Sequence, residues 1–171
     1  MPNLIPLISK DVIDTQVKRI GQEISQDYKD KDLVIVGILK GAFIFVSDLT
    51  RHIGIDHEID FIGASSYDGD SSTGQIIFTK QPDIDLAGRD VLLVEDIVDT
   101  GKTLQKIISF IELLNARSVK ICSLIDKHER REVEINVNYS CFSLKKGFIV
   151  GYGLDYNEKY RNLPAIYDLK L

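Results

Sequence analysis

The stretch DVLLVEDIVDTGKTL, residues 90–104, holds the sharpest signal in the chain. Its first half is a short run of branched apolar residues, the composition of a strand covered on both faces. The run stops at Glu95 and Asp96, and a third acid, Asp99, follows three residues later. Thr100-Gly101-Lys102-Thr103 then opens a segment, 101–115, that carries Leu104, Ile107, Ile108, Ile111 and Leu114 at the spacing of one helical face. A buried strand that turns directly into an amphipathic helix is half of a parallel β–α–β unit.

The same alternation extends outward. Residues 9–29 place Val12, Ile13, Val17, Ile20 and Ile24 at helical spacing behind a possible Ser9 cap. LVIVGIL (33–39) reads as another buried strand, and AFIFVSDLTRHI (42–53) as a helix. A strand at 58–67, a partner at 76–79, and strands at 118–125 and 148–153 complete the expectation. These elements predict a single α/β domain over residues 1–171 with a mostly parallel sheet flanked by helices. In such sheets ligands bind beyond the carboxyl ends of the strands. There the sequence sets Lys40-Gly41, Ser66-Tyr67 with a polar loop at 67–74, Glu95-Asp96, Asp126-Lys127, and Asp155 with Arg161.

Composition narrows the function classes. Lys and Arg number 21 against 26 Asp and Glu, a net charge of -5. A nucleic-acid binder usually shows a basic excess, so that class is disfavoured. No apolar run approaches the ~20 residues of a membrane span, and the amino end lacks the pattern of a secretory signal. A cytoplasmic protein is expected. Cys122 and Cys141 lack CxxC spacing and sit in apolar runs, as buried free thiols do. His52, His57 and His128 form no metal-ligand pattern.

The turn at 99–103 suits a phosphate monoester. A P-loop for ATP or GTP needs a glycine five positions before Gly101, and position 96 is Asp. A helix starting near Gly101 still offers free N–H groups and the positive end of its dipole, beside the Thr100 and Thr103 hydroxyls. Carboxylates accept hydrogen bonds from sugar hydroxyls. Like charges ~4 Å apart lose about 4 kcal/mol at an effective dielectric near 20, so a polyphosphorylated sugar among three acids calls for a cation. Mg²⁺ is the hard divalent ion that fits.

VLLVEDIVDTGKTL resembles the 5-phosphoribosyl 1-diphosphate (PRPP) signature of the type I phosphoribosyltransferases. VGILKGAFIFVSDL, SSYDGDSSTGQ, SLIDKHERR and FIVGYGLDYNEKYRNLP are similar to the hypoxanthine(-guanine) phosphoribosyltransferases, especially their short bacterial form. The blocks run in family order from about residue 33 to 166. The resemblance implies the family's fold, with a small hood and a flexible loop, and purine salvage from PRPP and a 6-oxopurine base, with Mg²⁺ as cofactor and pyrophosphate as product. It implies that Glu95 and Asp96 hold the ribose hydroxyls, and that Asp99, Thr100, Gly101, Lys102 and Thr103 cradle the 5-phosphate. Lys40 and Gly41, after a peptide that is sometimes cis in this family, contact pyrophosphate together with Arg161. Lys127 reads the purine 6-oxo group, Phe148 stacks on the base, and Ile149 and Asp155 border it. Metal ligands would come from Glu95, Asp96 and Asp155. Ser66 and Tyr67 would lie on the closing lid, and the assembly would be a homodimer or homotetramer.

Asp99 is the candidate general base toward the purine N–H, a role worth ~10²- to 10⁴-fold. Each role has a plainer rival: Asp99 as a helix cap, Lys127 as a solvated strand-end lysine, Phe148 as core, Asp155 and Arg161 as a structural ion pair. A fold-sharing regulator that senses PRPP or nucleotide, or a transferase for another base such as xanthine, is the alternative function. The chain departs from the family where His128-Glu129 replaces the usual nearby proline and where SLKKGF leads to the stacking aromatic.

Overall fold

The computed structural model describes residues 3–66 and 75–170. The chain runs β1 (Asn3–Ile8), α1 (Lys10–Asp27), β2 (Leu33–Leu39), α2 (Phe43–Thr50), β3 (His57–Ser66), β4 (Ile76–Lys80), β5 (Asp90–Val98), α3 (Lys102–Leu113), β6 (Ser118–Lys127), β7 (Tyr139–Leu144), β8 (Ile149–Val150) and β9 (Ile166–Lys170). The main sheet has the order β4-β3-β2-β5-β6-β7, parallel except for β4 against β3. A second, antiparallel sheet of order β1-β9-β8 joins both ends of the described chain.

The central strands alternate their cargo with period two. Leu33, Ile35, Leu92, Val94, Cys122 and Leu124 enter one core with Ile13, Val17, Ile20 and Ile24 of α1 and Phe45 and Leu49 of α2. Val34, Val36, Val91, Leu93 and Ile121 enter the other with Leu104, Ile107 and Ile111 of α3. Two-sided burial explains why these strands read as continuous apolar runs. Both cysteines are free and buried, and burial raises the two thiols, Cys141 to about 12. The Ser9 side chain accepts from Val12 N at 3.3 Å, the expected cap of α1.

From β2 the chain first moves to β3 on one side, then returns as β5 on the other. The order therefore reverses between β2 and β5, and a crevice opens beyond their carboxyl ends. Leu39-Lys40-Gly41 leaves one strand there, and Glu95 to Gly101 leaves the other.

One element differs from expectation. Only Ile149–Val150 of the segment 148–153 is a strand, and it pairs with β9 in the small sheet. The sixth strand of the main sheet is β7, YSCFSL, on the edge beside β6. This corrects the predicted partition: Phe148 to Arg161 hang from a separate hood. Among the described residues no helix is long and apolar enough to cross a membrane.

Candidate active site

β5 carries its acids near its carboxyl end, between the core residues Val94 and Val98. The Asp96 N–H donates to Glu95 Oε1 at 3.0 Å, and the Ile97 N–H to Asp96 Oδ1 at 2.7 Å. Asp96 is 9% exposed. Burial first, and then the neighbouring Asp96, push the Glu95 carboxyl well above its usual range. Burial likewise raises Asp96, against the pull of nearby groups that include the Arg161 charge. A pair that resists ionising together is a pair prepared for a cation or for donor hydroxyls.

Beyond the acids the chain turns into α3 at Gly101, whose φ of 85° is left-handed. A Cβ there would meet Val133 O at 2.9 Å, so both conformation and space require glycine. Gly101 has no side chain to cap α3, and the Lys102 N–H makes only a long contact, 3.4 Å, to Thr100 Oγ1. Glu95, Asp99, Thr100, Gly101, Thr103 and Leu104 line a cleft of about 160 Å³ at this turn. Asp99 does not cap the helix. Its Oδ2 lies 3.5 Å from Arg130 Nη1, and its Oδ1 is buried without a hydrogen-bond partner among the described residues. A buried carboxylate oxygen without a donor costs free energy that a ligand N–H can recover. Lys102 pairs instead with Glu132, 2.5 Å away.

A glycine contact joins the rims. A Cβ on Gly41 would lie 1.9 Å from Asp96 Oδ2, and one on Gly153 would lie 2.1 Å from Gly41 O. The Leu39-Lys40 peptide is cis. Arg161 Nη1 donates to Gly153 O at 2.7 Å, and Nη2 lies 3.2 Å from Asp155 Oδ1 and 3.3 Å from Glu158 Oε1. Lys40 Nζ reaches Glu158 Oε2 at 2.8 Å. The Asp155–Arg161 ion pair thus forms, and it sits inside the cluster of rim charges.

Lys127 ends β6, and Phe148 immediately precedes β8 in the hood. Lys127 is only 7% exposed, with Glu129 Oε2 at 3.6 Å from Nζ, so it is no solvated strand-end lysine. Phe148 is 47% exposed and meets Tyr156 edge-on at 5.6 Å, so it is not core. Ile149 is buried at the start of β8. Ser66 ends β3; Tyr67 and the loop 67–74 lie outside the described residues. Glu95, Asp96 and Asp155 are not gathered into one cage, since the described residues hold no cluster of three or more such ligands.

Arg131 had no assigned role in the sequence. It is a staple: Nε donates to Asp99 O at 2.8 Å, and Nη2 reaches Val98 O at 3.1 Å, Lys127 O at 3.0 Å and Asp126 Oδ1 at 2.5 Å. One guanidinium fixes the backbone of the phosphate turn and of the base-side lysine together. Its spacing of four residues from Lys127 is the only trace of this in the sequence, because three of its four acceptors are backbone carbonyls.

A sheet-switch crevice with an amide-lined anion turn, an acid pair and rim cations defines an α/β enzyme class built for phosphorylated sugars. The chain belongs to the phosphoribosyl transferase domain family, whose model matches residues 10–157. It is similar to the hypoxanthine phosphoribosyltransferase of Escherichia coli (strain K12), 44% identical over 94% of this chain and 92% of the relative. The hypoxanthine-guanine phosphoribosyltransferase of Streptococcus pneumoniae (strain ATCC BAA-255 / R6) is 46% identical over 96% of this chain and 92% of its own. The crystal structure of a hypoxanthine phosphoribosyltransferase from Staphylococcus aureus superposes with a TM-score of 0.92 at 41% identity, covering 96% of this chain and 90% of that one. A hypoxanthine-guanine phosphoribosyltransferase from Bacillus anthracis, with HEPES in its active site, gives 0.93 at 38% identity over 100% of both chains. The chain is an enzyme of the type I phosphoribosyltransferase fold.

Proposed function

We propose that the enzyme transfers the 5-phosphoribosyl group from PRPP to hypoxanthine and/or guanine, releasing IMP or GMP and pyrophosphate. The observation that carries the base assignment is a pair of side chains: Lys127, buried at the end of β6, and Phe148, an exposed aromatic just before β8. A 6-oxopurine supplies the carbonyl acceptor and the flat ring that this pair is suited to. The whole chain acts as one catalytic domain, cytoplasmic, and as a homodimer or homotetramer; exposed Phe43 on α2 and Leu113 on α3 supply apolar surface for association.

The 5-phosphate sits on the N–H groups of 99–103, with the Thr100 and Thr103 hydroxyls beside it. Glu95 and Asp96 accept from the ribose hydroxyls. Lys40, Gly41 and Arg161 receive the diphosphate. Bond breaking at the anomeric carbon builds positive charge on the sugar and negative charge on the departing diphosphate, which Lys40 and Arg161 stabilise. Asp99 Oδ1 accepts the proton that the attacking purine nitrogen must shed. The loop at 67–74 would exclude water while the sugar is cationic.

The residues suit Mg²⁺. They are hard oxygen donors, Glu95 and Asp96 on one strand end and Asp155 on the hood, available one or two at a time. Mg²⁺ is commonly held that way, with waters and substrate phosphates filling its shell. When bound, it offsets the charge of the diphosphate.

The test is nucleotide formation from PRPP and Mg²⁺ with hypoxanthine, guanine and xanthine offered in turn. Turnover of hypoxanthine or guanine is expected. Absence of turnover with every 6-oxopurine would leave the regulator reading in its place.

A further inference from the structure

Tyr156 to Lys159 close a two-residue hairpin turn. Tyr156 N donates to Lys159 O and Lys159 N to Tyr156 O, each at 3.1 Å. The central residues, Asn157 and Glu158, have φ of 51° and 62°. Turns with two left-handed residues favour Asn followed by Gly, because glycine has no Cβ to strain. Here the second position is Glu, held in a conformation that costs free energy for a residue of its kind.

What the side chain does there gives a reason. Glu158 Oε2 lies 2.8 Å from Lys40 Nζ, and Oε1 lies 3.3 Å from Arg161 Nη2. Lys40 follows β2, and Glu158 and Arg161 belong to the hood, 118 or more positions later. An exposed carboxylate beside two cations is charged at neutral pH. The backbone N–H of Glu158 donates to Asp155 Oδ2 at 2.9 Å, which fixes the turn to the same cluster.

We infer that Glu158 is a place-holding anion: its two carboxylate oxygens sit on the two cations that the diphosphate takes, and the ligand must displace them. Glu158 thereby sets the affinity for the diphosphate group, weakening its capture and easing its release. The inference rests on the proposed assignment of Lys40 and Arg161 to the diphosphate. Without Glu158, Lys40 would lose its carboxylate partner and Arg161 would keep only Asp155, 3.2 Å away.

Calorimetric titration with pyrophosphate and Mg²⁺ tests this on the parent chain, on Glu158→Gln and on Glu158→Gly. Glutamine removes the charge and keeps the size. Glycine also relieves the turn, so it should melt higher than the parent. Both variants are expected to bind pyrophosphate about fivefold more tightly at low salt, the scale of exposed ion pairs. The advantage should shrink as salt is raised, a change that a purely structural turn residue would not produce. The KM for PRPP should fall by a similar factor. If the parent binds and both variants bind equally or more weakly, Glu158 is not a competitor, and the diphosphate assignment survives. If the parent does not bind pyrophosphate at all, the inference and the assignment fail together.

Discussion

Asp99 is where the plain and the chemical roles of one residue separate. Asp often caps helices, and Asp99 stands three residues before α3, yet the cap position belongs to Gly101 and no side chain fills it. Its Oδ1 is left buried and without a partner among the described residues, while Arg131 takes the Asp99 carbonyl. This is the placement of an acceptor awaiting a donor. Asp99→Asn replaces the acceptor with an amide of the same shape. It should lower kcat by ~10²- to 10⁴-fold with the melting temperature close to that of the parent. Steady-state kinetics with a thermal melt check both halves, and near-normal turnover would remove Asp99 as the base. The acids, the turn and both glycines were legible in the sequence because their chemistry is local. Arg131 and Glu158 were not, since each acts through partners that only folding supplies, backbone carbonyls in one case and a lysine far along the chain in the other.

At the scale of elements, β5 is anchored at its start as well as functional at its end. Asp90 is buried, accepts from Ser118 Oγ at 2.6 Å, and pairs with Arg117 Nη2 at 2.5 Å. The Arg117 guanidinium, aided by Ser118, holds its carboxyl below the usual range. A depressed acid contributes stability that is present above the unfolded carboxylate pKa of ~3.9 and lost as pH falls through the lower folded value. Asp90→Asn should therefore cost about 1–2 kcal/mol at pH 7, a modest figure because Arg117 is half exposed, and much less near pH 2. Urea midpoints at the two pH values measure this; an equal loss at both would mean that charge is not the cause. β5 and its neighbours could be read from sequence because two-sided burial writes an unbroken apolar run. β7 mixes polar residues into an edge strand, and so hid. The small sheet hid for another reason: it pairs Asn3–Ile8 with Ile166–Lys170, a contact between distant segments that periodicity does not encode. Periodicity alone therefore places the run at 148–153 with the parallel strands, whereas its Ile149–Val150 pair with β9.

At the scale of the molecule, two units with separate hydrogen-bond ladders meet over one crevice. The parallel sheet supplies the anion turn and the acid pair at its switch between β2 and β5. The hood supplies Phe148, Asp155 and Arg161, and the close approach of Gly153 to Gly41 docks it there. Phosphate, ribose, diphosphate and base would then each face a different element, and transfer would need all of them in register. Crystals grown or soaked with IMP or GMP test this arrangement most directly. The 5-phosphate is expected on the N–H groups of 99–103, the ribose hydroxyls at Glu95 and Asp96, and the purine between Phe148 and Lys127. Nucleotide bound elsewhere, or a base turned away from Lys127, would contradict the account.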